Sequence, residues 1–149
     1  MTIYHQVLIH SKPEDVFRAV TEQEGLSKWW IQDCTAKPEI GFVNIFKYEG
    51  YVNNEMKVID LVPNERVEWE CIKSEKEWIG THIMFEISTH NNLAKLNFKQ
   101  IGWREQTEFF ATCNFHWARH LIMLKDLCES GINQVFQEKE AVEIKKVKG

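Results

Sequence analysis

Hydrophobic and polar residues alternate along most of the first hundred positions, a pattern typical of half-buried β-strands. The opening segment IYHQVLIH alternates in this way, and the pattern resumes at residue 41 after an interruption. Turn-forming residues (EG at 49–50, PNE at 63–65 and HNN at 90–92) separate the later segments. The pattern therefore predicts five further strands, at 42–48, 56–62, 66–72, 81–88 and 93–101.

The third of these segments shows the two-faced character most clearly. Val67, Trp69 and Cys71 share one side, while Arg66 and Glu68 lie on the other. One apolar and one polar face is typical of an antiparallel sheet that is buried on a single side. We therefore expect consecutive strands to pair with one another and to bury one face of the sheet.

Between the first and second strands, SKPEDVFRAV predicts a short amphipathic helix. Ser11 is placed to act as its N-cap, Pro13 stands in the first turn, and two acidic residues follow where the helix dipole favours negative charge. Gly25 ends this helix, and LSKWW at 26–30 predicts a second helical turn.

The longest helical pattern runs from about residue 105 to residue 130, and Gly131 supplies its stop. At ~100° per residue, its apolar positions fall within one stripe roughly 80° wide. The stripe contains Phe110, Cys113, Trp117, Leu121, Leu124 and Cys128. This helix is the only predicted element large enough to cover the apolar face of the sheet. The predicted fold class is α+β: an antiparallel sheet, two short helices after the first strand, and a long C-terminal helix.

Length and charge restrict the organisation and the partners. The 149 residues contain no repeat or linker, so we predict a single domain over 1–136, followed by a charged tail over 137–149. A net charge of -4 and a pI of about 5.9 argue against nucleic acid as a partner. The chain has no secretory signal and no apolar run of the ~18 residues that a membrane span needs. With four widely spaced cysteines, these features predict a cytoplasmic protein with free thiols and no membrane partner.

Three segments together resemble the Hsp90-ATPase-activator-homologue family of the START-like superfamily. They are SKPEDVFRAVTEQEGLSKWW, VIDLVPNERVEWEC and WARHLIMLKDLCESG, in the family's order along the whole chain. The resemblance implies a helix-grip fold, in which a curved sheet wraps around the long helix and leaves a cavity between them. The chain departs from the family at His116, where a glycine often precedes the closing tryptophan, and at Ile40, where a Gly-Gly pair is usual.

If the cavity exists, inward-facing aromatic residues should line it. An aromatic share of 12 %, with six tryptophans and nine phenylalanines, suits either an apolar pocket or a bulky packed core. Both interpretations stay open at this stage. Separately, we expect Trp29 and Trp30 to form a buried hinge between the short helices and the sheet. The candidate lining is Trp30, Trp69, Phe85, Phe98, Phe110, Cys113, Trp117 and Leu121.

The segment HWARH, with Cys113 one turn earlier, raises the question of a metal site. Two histidines four apart resemble the zinc-binding H-E-x-x-H pattern, but the catalytic glutamate of that pattern is missing and no fourth ligand is evident. We therefore expect no metal, no cofactor and no dedicated catalytic residue. His116 and His120 are candidate polar groups of the cavity, or else surface histidines that contact water or a nearby acid.

The function expected from these features is the binding of a small hydrophobic molecule, lipid-like or aromatic, without catalysis. One alternative is an enzyme similar to the polyketide cyclases and dehydratases of the superfamily, using a cavity histidine. A second alternative is a chaperone-linked protein-interaction module. A binder should show an apolar cavity, an enzyme an inward polar group with a shifted pKa, and an interaction module a filled core with an exposed apolar patch. The assembly could be a monomer or a homodimer.

Overall fold

Seven antiparallel strands form a single sheet in the computed structural model of the protein, which describes residues 1–132, 135, 136 and 139. The order across the sheet is β1-β7-β6-β5-β4-β3-β2, so strands β2 to β7 pair in sequence order and β1 pairs with β7. The strands are β1 (Ile3–Ile9), β2 (Cys34–Thr35), β3 (Val43–Phe46), β4 (Asn54–Val62), β5 (Arg66–Lys73), β6 (His82–His90) and β7 (Leu93–Ile101).

Within the described residues three helices complete the fold: α1 (Pro13–Thr21), α2 (Gln23–Trp29) and the long α3 (Glu108–Ser130). The first two follow β1, and α3 follows the last strand and contacts β1 and α2. A curved antiparallel sheet closed by a long C-terminal helix is the predicted helix-grip arrangement, and that prediction is confirmed.

The pairing of β4 with β5 is irregular in two places, with one extra residue on each strand. The register between β4 and β5 shifts between Glu55 and Met56, and again between Val58 and Asp60. An extra residue on one strand of an antiparallel pair bends that strand and increases its twist. These shifts therefore help to curve the sheet around the helix.

The predicted strands are found at nearly their predicted positions, but several local predictions need correction. Gly25 does not end the first helix, because α1 already ends at Thr21 and Gly25 lies inside α2. The N-cap of α1 is Lys12 rather than Ser11, and it makes no side-chain capping hydrogen bond, because the ammonium group of lysine has no acceptor for a helix amide. Helix α3 begins at Glu108 because the Thr107 side chain accepts a hydrogen bond from the amide of Phe110. Strand β2 was missed because two residues are too few to show a periodicity.

Five aromatic rings close on one another in the middle of the molecule. Neighbouring ring centroids are separated by 4.4 to 6.2 Å, within the range of favourable aromatic contacts. This five-ring cluster joins the sheet, the residue after α2 and the helix α3, and it fills the space that they enclose. Its members, in order of contact, are Trp30, Trp69, Phe85, Phe98 and Trp117.

A chain of buried hydrogen bonds runs beside the five-ring cluster. The indole N–H of Trp117 donates to Oε1 of Gln100 at 3.0 Å, and Nε2 of Gln100 donates to Oγ1 of Thr81 at 3.1 Å. The hydroxyl of Thr81 donates in turn to the carbonyl of Trp78 at 2.6 Å. Gln100 and Thr81 are fully buried, so each bond satisfies a polar group that would otherwise be costly in the core.

Helices α1 and α2 approach each other closely at Gly25. A Cβ atom at this position would lie 2.7 Å from the Cα of Ala19 and 2.8 Å from its carbonyl oxygen. The indole N–H of Trp29 donates to the same carbonyl at 2.8 Å, and Trp29 is fully buried. The contact between the two short helices therefore requires glycine for reasons of space.

The division into a domain at 1–136 and a tail at 137–149 stays a prediction. Apart from Lys139, the predicted tail at 137–149 lies outside the described residues. The amino group of Lys139 lies 2.7 Å from Glu22 and 3.4 Å from Glu24. Within the part of the chain that the structure describes, no helix is both long and apolar enough to cross a membrane.

Substituting Gly25→Ala should lower the free energy of unfolding by about 1–3 kcal/mol, the usual cost of overpacking against backbone that cannot move away. Gly131→Ala is the matched control, because a Cβ there would meet only ordinary contacts, 3.5 Å to Leu127 Cδ1 and 3.7 Å to Leu127 O. Urea denaturation of both variants measures the difference. Equal stabilities for the two variants would contradict the close approach of α1 and α2.

Candidate functional site: an aromatic-walled cavity beside α3

A cavity of about 400 Å³ lies between α3 and two connecting segments of the sheet. One segment joins β3 to β4 and the other follows β5, so the cavity is found beside the first half of α3. Its lining combines aromatic, hydroxyl, amide and imidazole side chains. The lining residues are Trp30, Tyr48, Tyr51, Val52, Asn54, Ser74, Glu75, Trp78, Phe109, Thr112, Cys113, His116, Trp117 and His120.

Three indole rings form one wall of the cavity. The ring of Trp117 stacks on Trp78 with an interplanar angle of 14° and a centroid distance of 5.9 Å, and lies 5.1 Å from the ring of Trp30. The N–H of Trp78 donates to the sulfur of Cys113 at 3.3 Å, and that of Trp117 is used by Gln100. This part of the wall therefore offers flat apolar surface, while two of its three indole donors are already taken.

Polar and exposed side chains stand around the rest of the cavity. The hydroxyl of Ser74 donates to Oδ1 of Asn54 at 2.5 Å. Tyr48 and Tyr51 meet edge to face at 6.2 Å, and Tyr51 is 71 % exposed. This part of the lining is therefore amphipathic, in contrast to the wall of indole rings.

His120 is the polar group with the most unusual surroundings. Burial lowers its pKa below the ordinary 6.5, and the charges of His116 and Arg119 lower the pKa further, against a hydrogen bond with the backbone of Trp29 that raises it. Its Nδ1 is buried and has no hydrogen-bond partner among the described residues. A half-buried imidazole with a lowered pKa is neutral near pH 7, where its free nitrogen could accept a hydrogen bond or a proton.

All four cysteines are free and buried. Burial raises the pKa of Cys113, on the cavity wall, to about 11, although the hydrogen bond from Trp78 opposes the shift. Burial likewise raises the pKa of Cys34 to about 11, and that of Cys71 and Cys128 to about 12. Because the thiolate is the nucleophilic form, Cys113 is not an activated nucleophile.

The structure divides the residues predicted to line a cavity into two groups. Trp30, Cys113 and Trp117 lie on its wall together with His116 and His120. The others are buried behind the wall: Trp69, Phe85, Phe98 and Leu121 are at most 1 % exposed, and Phe110 packs edge to face on Trp103. These five face the interior as expected, but the space around them is filled by neighbouring rings.

Sequence reasoning missed several lining residues because they lie in connections between strands. Trp78 stands in the polar stretch KSEKEWIG, where no periodicity marks an inward position. Tyr48, Tyr51 and Val52 flank a turn that contains Gly50 at φ +82°. One feature of the sequence could have identified Trp78 as a lining residue: it is a large aromatic residue in an otherwise polar loop. A loop with such a residue commonly folds back onto the core.

The histidines and Cys113 do not assemble into a metal site. Across residues 1–132 and the three further described positions, no group of three or more histidine, cysteine, aspartate or glutamate side chains is arranged to hold a metal ion. The sulfur of Cys113 instead accepts the hydrogen bond from Trp78, deep in the wall.

A family model described as "Activator of Hsp90 ATPase homolog 1-like protein" matches residues 10–129. The chain belongs to this family. The match confirms the resemblance noted in the sequence and extends over all elements from the end of β1 to the last turn of α3. No curated protein matches the chain by sequence.

Solved structures agree on the fold. The solution structure of the Aha1 dimer from Colwellia psychrerythraea is 35 % identical, with a TM-score of 0.81 over 88 % of this chain and 98 % of that chain. Protein MLL2253 from Mesorhizobium loti is 18 % identical, with a TM-score of 0.75 over 85 % and 96 %. CalU16 from Micromonospora echinospora is 13 % identical, with a TM-score of 0.69 over 87 % and 66 %. MLL2253 and CalU16 are less similar in sequence, and their likeness shows a shared fold only.

The lowered pKa of His120 predicts a pH dependence of stability with a defined sign. Because the unfolded chain protonates this residue near pH 6.5 and the folded chain only at lower pH, acidification below 6.5 should favour unfolding. The stability contributed by the neutral form of His120 is fully present above pH 6.5 and is lost as the pH falls towards the folded-state pKa. In urea denaturation at several pH values, His120→Gln should therefore lose less stability than the unmodified protein between pH 7 and the folded-state pKa.

The control for this prediction is a direct titration of the imidazole by NMR in the folded protein. Its midpoint should lie below 6.5. Parallel stability curves for the two proteins, together with a midpoint at or above 6.5, would contradict a desolvated His120.

Proposed function

We propose that the protein binds a small, flat, largely apolar molecule in the cavity beside α3. The observation that carries the proposal is the wall formed by Trp30, Trp78 and Trp117, which presents indole rings to a space of about 400 Å³. Ligand sites commonly occupy roughly 300–1,000 Å³ and combine apolar walls with a few polar groups. The volume lies near the lower limit, which favours a compact ring system over a long lipid chain.

The polar groups around the cavity suit the orientation of such a molecule. Ser74, Asn54 and Thr112 provide hydroxyl and amide groups to the lining, and His120 provides an imidazole. A ligand with an aromatic body and one hydroxyl or amide group would match this distribution. Apolar area would supply most of the affinity, and the polar contacts would select among ligands of similar shape.

Thr112→Phe tests the cavity directly, because position 112 is exposed on α3 and its side chain lines the space. We expect saturable quenching of tryptophan fluorescence by naphthol in the unmodified protein, at least about tenfold weaker in Thr112→Phe, where the ring takes up the volume. Asp126→Phe adds the same ring to an exposed position of α3 about four turns away and should bind normally.

No saturable quenching by naphthol, by other ring compounds of similar size or by fatty acids would contradict the proposal. Equal affinities for Thr112→Phe and Asp126→Phe would mean that any binding occurs elsewhere. Native mass spectrometry of protein prepared without detergent would identify a co-purifying ligand.

The enzyme alternative has one supporting observation, the half-buried His120 with its lowered pKa on the cavity wall. A neutral imidazole could act as a general base towards a bound ring compound. Mass spectrometry of the bound ligand after incubation separates the two functions. An unchanged mass supports binding, whereas a changed mass that depends on His120 supports catalysis. The chaperone-linked alternative rests on the description of the family alone.

We further propose that the protein associates with a second copy of itself. The relative from Colwellia psychrerythraea, with 98 % of its chain covered, was solved as a dimer. In addition, α3 exposes the large apolar side chains of Phe115 and Ile122 on its outer side, two turns apart. Apolar residues that are exposed in one copy can be covered in a symmetric pair.

Sedimentation equilibrium over a wide range of protein concentration tests this association. We expect the average mass to rise from 17.7 kDa towards twice that value as the concentration increases. A mass that stays at the monomer value up to millimolar concentration would contradict self-association.

A further inference from the structure

The outer side of α3 carries apolar residues at regular positions. Phe115 is 61 % exposed and Ile122 is 58 % exposed, although both stand in the middle of a well-formed helix. Ala111, which is exposed, and Ala118, which is half-buried, occupy the same side of the helix. The face that α3 buries lies elsewhere on the helix, at Cys113, Trp117, Leu121 and Leu124.

The exposed positions follow the spacing of a heptad repeat. Successive intervals are 3, 4, 3, 4 and 3 residues, which places the positions on one line along α3, within a band about 100° wide at ~100° per residue. At 1.5 Å per residue this line is roughly 25 Å long. We call it the outer stripe; it consists of Glu108, Ala111, Phe115, Ala118, Ile122 and Lys125.

We infer that the outer stripe binds the outer stripe of a second copy of this chain, with the two α3 helices antiparallel. The inference rests on the proposed self-association and adds the surface and its orientation. A two-fold axis between residues 116 and 117 sets Phe115 against the partner's Ala118, and Ile122 against the partner's Ala111. Each contact then occurs twice, as in any isologous interface.

The sizes of the side chains favour this arrangement. Large and small residues alternate along the outer stripe, so each large side chain meets an alanine of the other helix when the helices run in opposite directions. In a parallel pair with the same register, Phe115 would meet the partner's Phe115, and each alanine would meet an alanine. The antiparallel pair therefore packs evenly along its length, whereas the parallel pair would leave gaps beside the alanines.

The charges at the two ends of the outer stripe favour the same orientation. Antiparallel pairing brings Glu108 opposite the partner's Lys125, whereas parallel pairing would bring Glu108 opposite the partner's Glu108. The amino group of Lys125 already donates to the carbonyl of Leu8 at 2.9 Å and to Glu129 at 2.6 Å. An ammonium group has three donors, so one N–H remains for the partner's Glu108.

Ile122→Glu tests the surface, because it would bury two unpaired carboxylates between the helices. We expect dissociation to become at least about tenfold easier in sedimentation equilibrium. Met123→Glu is the matched control: Met123 is 48 % exposed and adjacent in sequence, but it lies ~100° around the helix from Ile122, outside the outer stripe. Both positions are exposed, so thermal unfolding should show that both variants remain folded.

The outcomes separate the surface from the association itself. A monomeric unmodified protein would overturn the self-association on which the inference rests. A dimeric unmodified protein whose Ile122→Glu variant also dimerises with unchanged affinity would overturn the outer stripe alone, and would point instead to another surface such as the outer edge of β1.

Disulfide cross-linking tests the orientation. Phe115→Cys and Ala118→Cys are prepared as separate proteins and mixed under mild oxidation, while the four native cysteines stay buried. We expect the mixture to form covalent dimers faster than either variant alone, because residue 115 faces residue 118 of the partner. Faster cross-linking of Phe115→Cys with itself than in the mixture would overturn the antiparallel orientation.

Discussion

The hydrogen bond from the indole of Trp117 to Gln100 fixes the position of α3 over the sheet. Both groups are buried, so the bond cannot be exchanged for water without opening the core. Hydrophobic packing alone would allow the helix to slide or rotate by small amounts, since it has little directional preference. The buried bond selects one arrangement, and Thr81 extends the constraint to the carbonyl of Trp78.

The position of the open space follows from this constraint. With Trp117 fixed, its ring contacts Phe98 on one side and Trp30 on another, and the five-ring cluster leaves no room in the middle of the sheet. Trp78 stacks on the remaining face of Trp117. Space is left where the wall of indoles ends, beside the connections at 47–53 and 74–78. A packed core and an open cavity are therefore both present in this protein, at different ends of one aromatic assembly.

The sequence predicted the fold far better than it predicted the site. Strand β7 was located to the residue, because alternation over nine positions records which side of the sheet is buried. Periodicity also placed Trp69, Phe85 and Phe98 on the inward face. It could not show whether an inward ring borders space or another ring, because that depends on contacts between residues distant in sequence. Trp78 escaped prediction for a related reason: its loop has no period, and its position depends on Trp117, which lies 39 residues further along.

The burial of the four thiols has a consequence for the chemical durability of the protein. Raised pKa values of about 11 to 12 leave very little thiolate at neutral pH, and thiolate is the form that peroxide oxidises and that forms mixed disulfides. No cystine in the described residues holds the fold together, and no exposed thiol there invites oxidation. The four thiols are therefore poor targets for peroxide and for other thiols as long as the protein stays folded.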